Sequence, residues 1–316
     1  MDPASIDPQF RSAHRLPDVP VHQLWGRLLV RGAMHLLPSR VPEGVRVHRV
    51  RTRQCRMRVH RPPGAERRSR SGGALLWIHG GGLVVGNAAL EDAFCGQLAH
   101  ELGITVVAAD YRLAPRHRFP AAHNDVYAAW QWLQSRADAL GVDPARVAVG
   151  GGSAGGNLAA GLVWRLIDEG GVQPAVQWLF APMLDDRTAT RIDLDAVRHW
   201  TWDNRSNRFG WTAYLGGPPG SPGEHPYASP ARRTDMAGSP PTWIGVGDID
   251  LFYREDADYA HRLRAAGTPA TLDVVPGAPH GFEGWGAGTG AGRAFARRAR
   301  TWLAAALGLD IAADRD

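Results

Sequence analysis

The chain has 316 residues, room for one large domain or two small ones, and its 44% hydrophobic content supplies a sizeable core rather than a disordered chain. The formal net charge is +5, and every basic residue other than histidine is arginine. No apolar run approaches the roughly 18 residues of a membrane span, residues 1–10 lack the apolar stretch of a secretory leader, and two cysteines make no disulfide framework. A cytoplasmic protein with no membrane span, and with Cys55 and Cys95 as free thiols, is the expectation.

Residues 1–44 read as a helical or irregular lead-in, with a helix over 21–37 that Pro38 and Pro42-Glu43-Gly44 break. Alternating Val and Arg across 45–59 predicts exposed antiparallel strands with a charged outer face. Arg46, Arg49, Arg51, Arg53, Arg56, Arg58 and Arg61 cluster there, but no nucleic-acid motif accompanies them, so no nucleic-acid partner is expected. A loop over 62–73 closes the pair. Then come a buried strand over 74–78, a helix over 89–102 and a strand over 104–109. A helix over 121–140 follows, with Val126, Trp130, Leu133, Ala137 and Leu140 on one face.

A strand at 147–149 leads into a helix carrying Leu158, Leu162 and Leu166 at i, i+4 spacing. Strands over 175–180, 242–246 and 271–275 come next, with a helix over 255–266 that Gly267 ends. The last helix, over 291–307, is expected to turn Phe295, Ala299, Trp302 and Ala306 inward. Such alternation, with nearly continuous apolar strands, predicts an α/β fold: a mostly parallel sheet flanked by helices on both faces. Functional residues then gather beyond the carboxyl ends of the strands. The stretch 185–240 interrupts the pattern with a helix expected near 195–202, an aromatic run and a Gly/Pro-rich segment. It reads as an insertion covering the sheet edge.

Chemistry concentrates at the strand ends. Gly151-Gly152-Ser153-Ala154-Gly155 lies between a strand and a helix, where a sharp turn lifts a serine hydroxyl to within reach of a base and a substrate. Beyond the 74–78 strand stands His79-Gly80-Gly81-Gly82, which bares consecutive backbone N–H groups. Preset donors of this kind stabilise a developing oxyanion by roughly 3–4 kcal/mol each. A phosphate cradle would want a Gly-Lys-Ser/Thr ending or Gly-x-Gly-x-x-Gly spacing, and neither follows. Gly247-Asp248-Ile249-Asp250 and Pro279-His280-Gly281 follow the last two strands, in the chain order serine, acid, histidine. His280 would take the serine proton and return it to the leaving alcohol, while an aspartate holds its tautomer. Asp250 is favoured as the acid over Asp248, with Asp185 and Asp186 as a third option.

These motifs resemble the hormone-sensitive-lipase-like esterases, bacterial family IV of the α/β-hydrolases. The marks stand in order: His79 to Gly82; Tyr111-Arg112-Leu113-Ala114-Pro115 with Phe119-Pro120-Ala121-Ala122; and residues 151–158. Then come Asn207-Arg208-Phe209-Gly210-Trp211, Pro226-Tyr227-Ala228-Ser229-Pro230, residues 247–251, and His280-Gly281-Phe282. They cover about residues 45–305. The resemblance implies a catalytic set of Ser153, Asp250 and His280, the acid fixed by a Gly-x-x-Asp pattern that aligns Gly247 with Asp250. It implies oxyanion donors at the N–H groups of Gly81, Gly82 and Ala154, and a loop-orienting role for His79. It implies a helical cap built from residues 1–44 and 186–215, with the hydrolase core over 45–185 and 216–316. Two positions depart from the family pattern: Gly152, where Asp or Thr is usual, and Arg116, where Glu is usual.

The resemblance further implies a serine carboxylesterase acting on short- to medium-chain esters, with no metal or cofactor and with a homodimer as the expected assembly. Leu83, Trp202, Phe209 and Trp211 are expected to line the substrate pocket, with Trp25, Trp200 and Tyr214 as further candidates. Two other readings stay open from sequence: a hydrolase-like protein that binds a ligand without turnover, and an amidase or peptidase using the same residues.

Overall fold

The computed structural model describes residues 6–15, 21–36, 40–65, 72–197, 199–223 and 227–309. Leu37, Pro38, residues 66–71 of the loop expected over 62–73, and Pro226 lie outside these.

Eight strands form one sheet: β1 (Arg46–Arg51), β2 (Arg56–Arg61), β3 (Gly72–Ile78), β4 (Thr105–Asp110), β5 (Val142–Gly152), β6 (Gln177–Phe180), β7 (Thr242–Gly247) and β8 (Ala270–Val275). Their spatial order is β1-β2-β4-β3-β5-β6-β7-β8. The β1–β2 and β2–β4 pairs are antiparallel, and every later pair is parallel. Helices α1 (Leu24–Leu36), α2 (Asp92–Leu102), α3 (Ala121–Leu140), α4 (Ala154–Asp168), α5 (Asn204–Leu215), α6 (Tyr253–Ala265), α7 (Phe282–Trp285) and α8 (Gly290–Ala306) complete the chain. Among the described residues no helix is long and apolar enough to cross a membrane.

The apolar runs of the central strands are explained by burial on both faces. Within β3, Ala74, Leu76 and Ile78 enter the core shared with α3 and α4, while Leu75 and Trp77 enter the core shared with α2 and α8. β5 divides likewise, Val147 and Val149 to one side and Ala148 to the other. Each fully buried aliphatic chain contributes about 1.5–3 kcal/mol relative to exposure.

The hairpin departs from a purely solvated charged face. Arg58 and His60 turn toward α2, where Arg58 Nε donates to Asp92 Oδ1 at 2.6 Å and His60 Nε2 lies 2.9 Å from the same oxygen. Met57 and Val59 enter the core from the opposite face. Charge on β2 is therefore partly a buried tether.

The described residues of 195–202 do not form the expected helix. A 3-10 turn spans Ile192–Ala196, and the α-helix of the insertion, α5, begins later, where Asp203 caps it by accepting from Ser206 N at 2.8 Å. The inward face of α8 is also rotated from the expected one: Phe295, Ala299, Leu303 and Ala304 are buried, Trp302 is half-buried and Ala306 is exposed. Both cysteines are buried free thiols.

Candidate active site

Four loops at the carboxyl ends of strands converge, as expected for a parallel sheet. β5 ends at Gly152, and Ser153 stands between it and α4 with φ 54° and ψ −117°. A side chain at this backbone conformation is strained. The turn is pinned by Ser153 N donating to Phe180 O at 2.8 Å, and by Met183 N donating to Ser153 O at 3.0 Å. Close packing allows nothing larger than glycine at 155, where an added Cβ would lie 2.0 Å from Ile78 O.

The serine hydroxyl faces His280, which follows β8, with Oγ 3.0 Å from Nε2. His280 Nδ1 lies 2.8 Å from Asp250 Oδ2, in the loop after β7. An ionised carboxylate only accepts, so Nδ1 carries the proton and the Nε2 lone pair is turned to the serine hydroxyl. Asp250 is held in turn by Phe252 N, which donates to its Oδ1 at 2.9 Å. Burial opposes the charged form of His280, but the Asp250 charge and hydrogen bond outweigh it, carrying the imidazole above its ordinary value. The backbone O of His280 accepts from Thr201 Oγ1 at 2.6 Å and from Trp285 Nε1 at 3.2 Å.

The other acids lie elsewhere. Asp248 is exposed and its Oδ1 accepts from Gly277 N at 2.7 Å. Asp185 pairs with Arg187, and Asp186 with Ser229 and Arg232. The structure thus brings Ser153, His280 and Asp250 together and leaves the alternative acids apart.

The glycine loop follows β3. Gly81 and Gly82 both have positive φ, at 113° and 57°, and their N–H groups donate to no backbone acceptor among the described residues. Ala154, first residue of α4, has no intrahelical acceptor for its N–H. Trp202 packs over Gly82 so closely that a Cβ there would meet its ring at 2.1 Å. His79 stacks on Tyr111 with centroids 4.2 Å apart, and Tyr111 donates to His79 O at 3.0 Å. Its Nδ1 sits 2.7 Å from Gly80 O, and burial pushes its pKa down, so the ring stays neutral beneath the loop.

A cavity of about 740 Å³ opens beside Ser153 and is bordered by Gly80, Gly81, Gly82, Gly152 and His280. The α/β-hydrolase fold family matches residues 75–284. The chain belongs to that family, in its hormone-sensitive-lipase-like esterase branch. Similar to this α/β-hydrolase is the carboxylic ester hydrolase LipN of Mycobacterium tuberculosis, 38% identical over 228 residues. The shared stretch is 70% of this chain and 60% of LipN, so the chain spans less than two thirds of that relative. The ethyl acetate hydrolase of Pseudomonas putida is 33% identical over 72% of this chain and 70% of its own. Among solved structures, a bacterial heroin esterase superposes with a TM-score of 0.86, 34% identical, over 96% of this chain and 98% of that one.

In this α/β-hydrolase the walls of the cavity differ from those read from sequence. Trp202 borders it, but Leu83 and Trp211 are buried in the main core, and Phe209 lies under the Arg27 guanidinium at 4.7 Å. Tyr214 is core, Trp200 packs with Ile6, and Trp25 is exposed. The walls come instead from Trp77, Phe94, Phe180 and Trp285, with Glu91 and Glu283 among them. Glu283 stands three residues beyond His280, a proximity visible in the sequence. Glu91 sits at the end of the turn that precedes α2, and nothing in the apolar pattern points to it.

Proposed function

We propose that the chain is a serine carboxylesterase that hydrolyses short- to medium-chain carboxylic esters through an acyl-enzyme. The observation that carries this reading is the unbroken relay of 3.0 and 2.8 Å from Ser153 Oγ through His280 to Asp250, opening on a cavity. Ser153 Oγ attacks the ester carbonyl carbon as His280 Nε2 takes its proton. Negative charge moves to the carbonyl oxygen, where the N–H groups of Gly81, Gly82 and Ala154 receive it. The carbon–alkoxy bond then breaks, and His280 returns the proton to the leaving alcohol. Water repeats the sequence on the acyl-enzyme, with His280 as base and then as acid, and releases the acid and free Ser153. Asp250 keeps Nδ1 protonated and faces the imidazolium formed in each half. His79, stacked on Tyr111, steadies the glycine loop.

The N-terminal segment and the 186–215 insertion act as a cap. Val21, Val30 and Trp202 border the cavity, and Arg27 of α1 lies over Phe209 of α5, which supports a cap joined from both segments. Turnover of p-nitrophenyl butyrate tests the proposal. Ser153→Ala should lower kcat by at least about 10³-fold with the fold intact by circular dichroism, and a Ser153→Ala chain that keeps wild-type turnover refutes the serine mechanism.

A further inference from the structure

The chain as a whole is basic, at +5, yet the cavity beside Ser153 is not. Among the described residues that border it there is no arginine, and its only ionisable groups besides His79 and His280 are Glu91 and Glu283. His79 is held neutral by burial, and His280 must be neutral to act as a base. An ionised carboxylate at either glutamate therefore has no cationic side chain beside it in the cavity wall.

The glutamates stand among aromatic rings. Trp77 Nε1 donates to Glu91 Oε2 at 3.1 Å, and the Trp77 ring contacts Phe94 at 4.7 Å between centroids. Glu283 lies on α7, between His280 and Trp285 in the chain, and both Trp285 and Phe180 border the cavity. Trp202 adds a further indole to the same wall, packed over Gly82 beside Ser153.

We infer that this cavity selects esters carrying a positive charge, a protonated or quaternary amine, with Glu91 and Glu283 as the specificity-determining residues. The inference rests on the esterase reading above. A quaternary ammonium is bound by carboxylates together with the faces of tryptophan and phenylalanine, which a neutral group of equal size engages less strongly. Withdrawal from bulk water pushes both carboxyls above their ordinary values, and a neighbouring carboxylate adds to the effect at each, Glu283 at Glu91 and Asp250 at Glu283. An incoming cation relieves both effects, so binding it favours ionisation of the glutamates. Preference for the cationic ester should accordingly strengthen as pH rises and the two carboxyls ionise.

The test compares butyrylcholine with 3,3-dimethylbutyl butyrate, which differ in shape only by carbon for nitrogen. A second arm moves the charge to the acyl side, with the ethyl ester of 4-(trimethylammonio)butyrate against ethyl 5,5-dimethylhexanoate. The arm that shows the preference identifies which half of the ester meets the glutamates. The expected result is a kcat/KM ratio of about tenfold or more in favour of the cation in one arm, falling at pH 5.5 and in 0.5 M salt. In Glu91→Gln/Glu283→Gln the ratio should collapse toward one. Equal kcat/KM values in both arms with the unmodified chain overturn the inference, and so does a preference that survives the double substitution. Because the neutral esters report hydrolysis independently, equal turnover of both partners leaves the esterase reading standing. No turnover of any ester would instead remove that reading. The salt and pH arms need no variant, so the inference stays testable if the double variant fails to fold.

Discussion

Replacing Asp250 by Asn separates the acid of the relay from its neighbour two residues earlier. The change preserves volume and removes one charge from a carboxylate whose side chain is fully buried and 2.8 Å from His280 Nδ1. Two losses follow. In the proposed mechanism the imidazolium formed in each half-reaction loses the charge facing it, and an amide can present its N–H₂ to Nδ1, which favours the tautomer whose proton lies on Nε2. That tautomer cannot accept from Ser153. In a serine–histidine–aspartate relay this change costs about 10⁴ in kcat, near 5.4 kcal/mol of barrier. Asp248→Asn is the matched control. Asp248 is exposed and, among the described residues, its side chain accepts only the Gly277 N–H, which an amide oxygen accepts equally well. Its kcat should stay within about threefold of wild type, with stability lowered by no more than ~1 kcal/mol. Steady-state hydrolysis of p-nitrophenyl butyrate, with melting temperatures for both variants, makes the comparison. The expected ratio between the two variants exceeds about 10³. If Asp250→Asn retains a tenth of wild-type kcat, or if Asp248→Asn loses more, the assignment of the acid is wrong.

The pH profile carries a related prediction. In the proposed reaction His280 works as a base only when neutral, and its pKa lies above the ordinary imidazole value, so the acid limb of kcat/KM should fall above about 6.5. In Asp250→Asn, burial is left to dominate and the limb should move down, whereas an unmoved limb would mean that another group titrates. At Gly155 an added methyl would sit 2.0 Å from Ile78 O, so Gly155→Ala should lose activity and soluble expression together, and normal expression with wild-type kcat would contradict the packing. Asp256 is fully buried, and neither of its carboxyl oxygens has a hydrogen-bond partner among the described residues, which pushes its pKa well up. A carboxyl raised in the folded state contributes stability that is complete below its unfolded pKa and is lost as pH rises toward the folded one. Asp256→Asn should thus raise Tm more at pH 8 than at pH 5, and an equal or reversed effect would show that the carboxyl is satisfied.

The framework was legible because parallel strands buried on both faces leave continuous apolar runs, such as 74–78, and because chemistry on this fold stands at strand ends. Ser153, Asp250 and His280 could be picked out by that rule together with their order. The cavity wall could not. In a strand buried on both sides, apolar character does not say which face a residue takes, so Trp77 read as core although it reaches the cavity. The aromatic run at 200–214 carries a strong apolar signal in a segment without a sharp period, and most of it went into packing. The helix there was misplaced because Trp200 and Trp202 drew the apolar pattern forward, while the informative residue was the capping Asp203. Arg58 looked solvated because strand alternation does not reveal a helix laid over the outer face, and Asp92 of α2 lies there.

Gly152 sharpens the contrast between a glycine that the fold requires and one that it permits. Gly155 is required by the approach of Ile78 O. At Gly152 an added Cβ would meet nothing within 4 Å, and its φ is not in the left-handed region. The strained turn at Ser153 therefore does not depend on glycine at 152, and a Cβ there, as in the Asp or Thr usual in the family, meets no obstacle. What glycine changes is the border of the cavity, where Gly152 stands beside Ser153. An aspartate there would add a third carboxyl to a wall that already holds Glu91 and Glu283, next to a hydroxyl that must give up its proton as it attacks in the reaction proposed. Glycine avoids that added negative charge at the point of attack, and the carboxyls that remain stand on other elements of the wall, α7 and the turn before α2, where they can meet a cation without sitting directly beside the nucleophile in the chain.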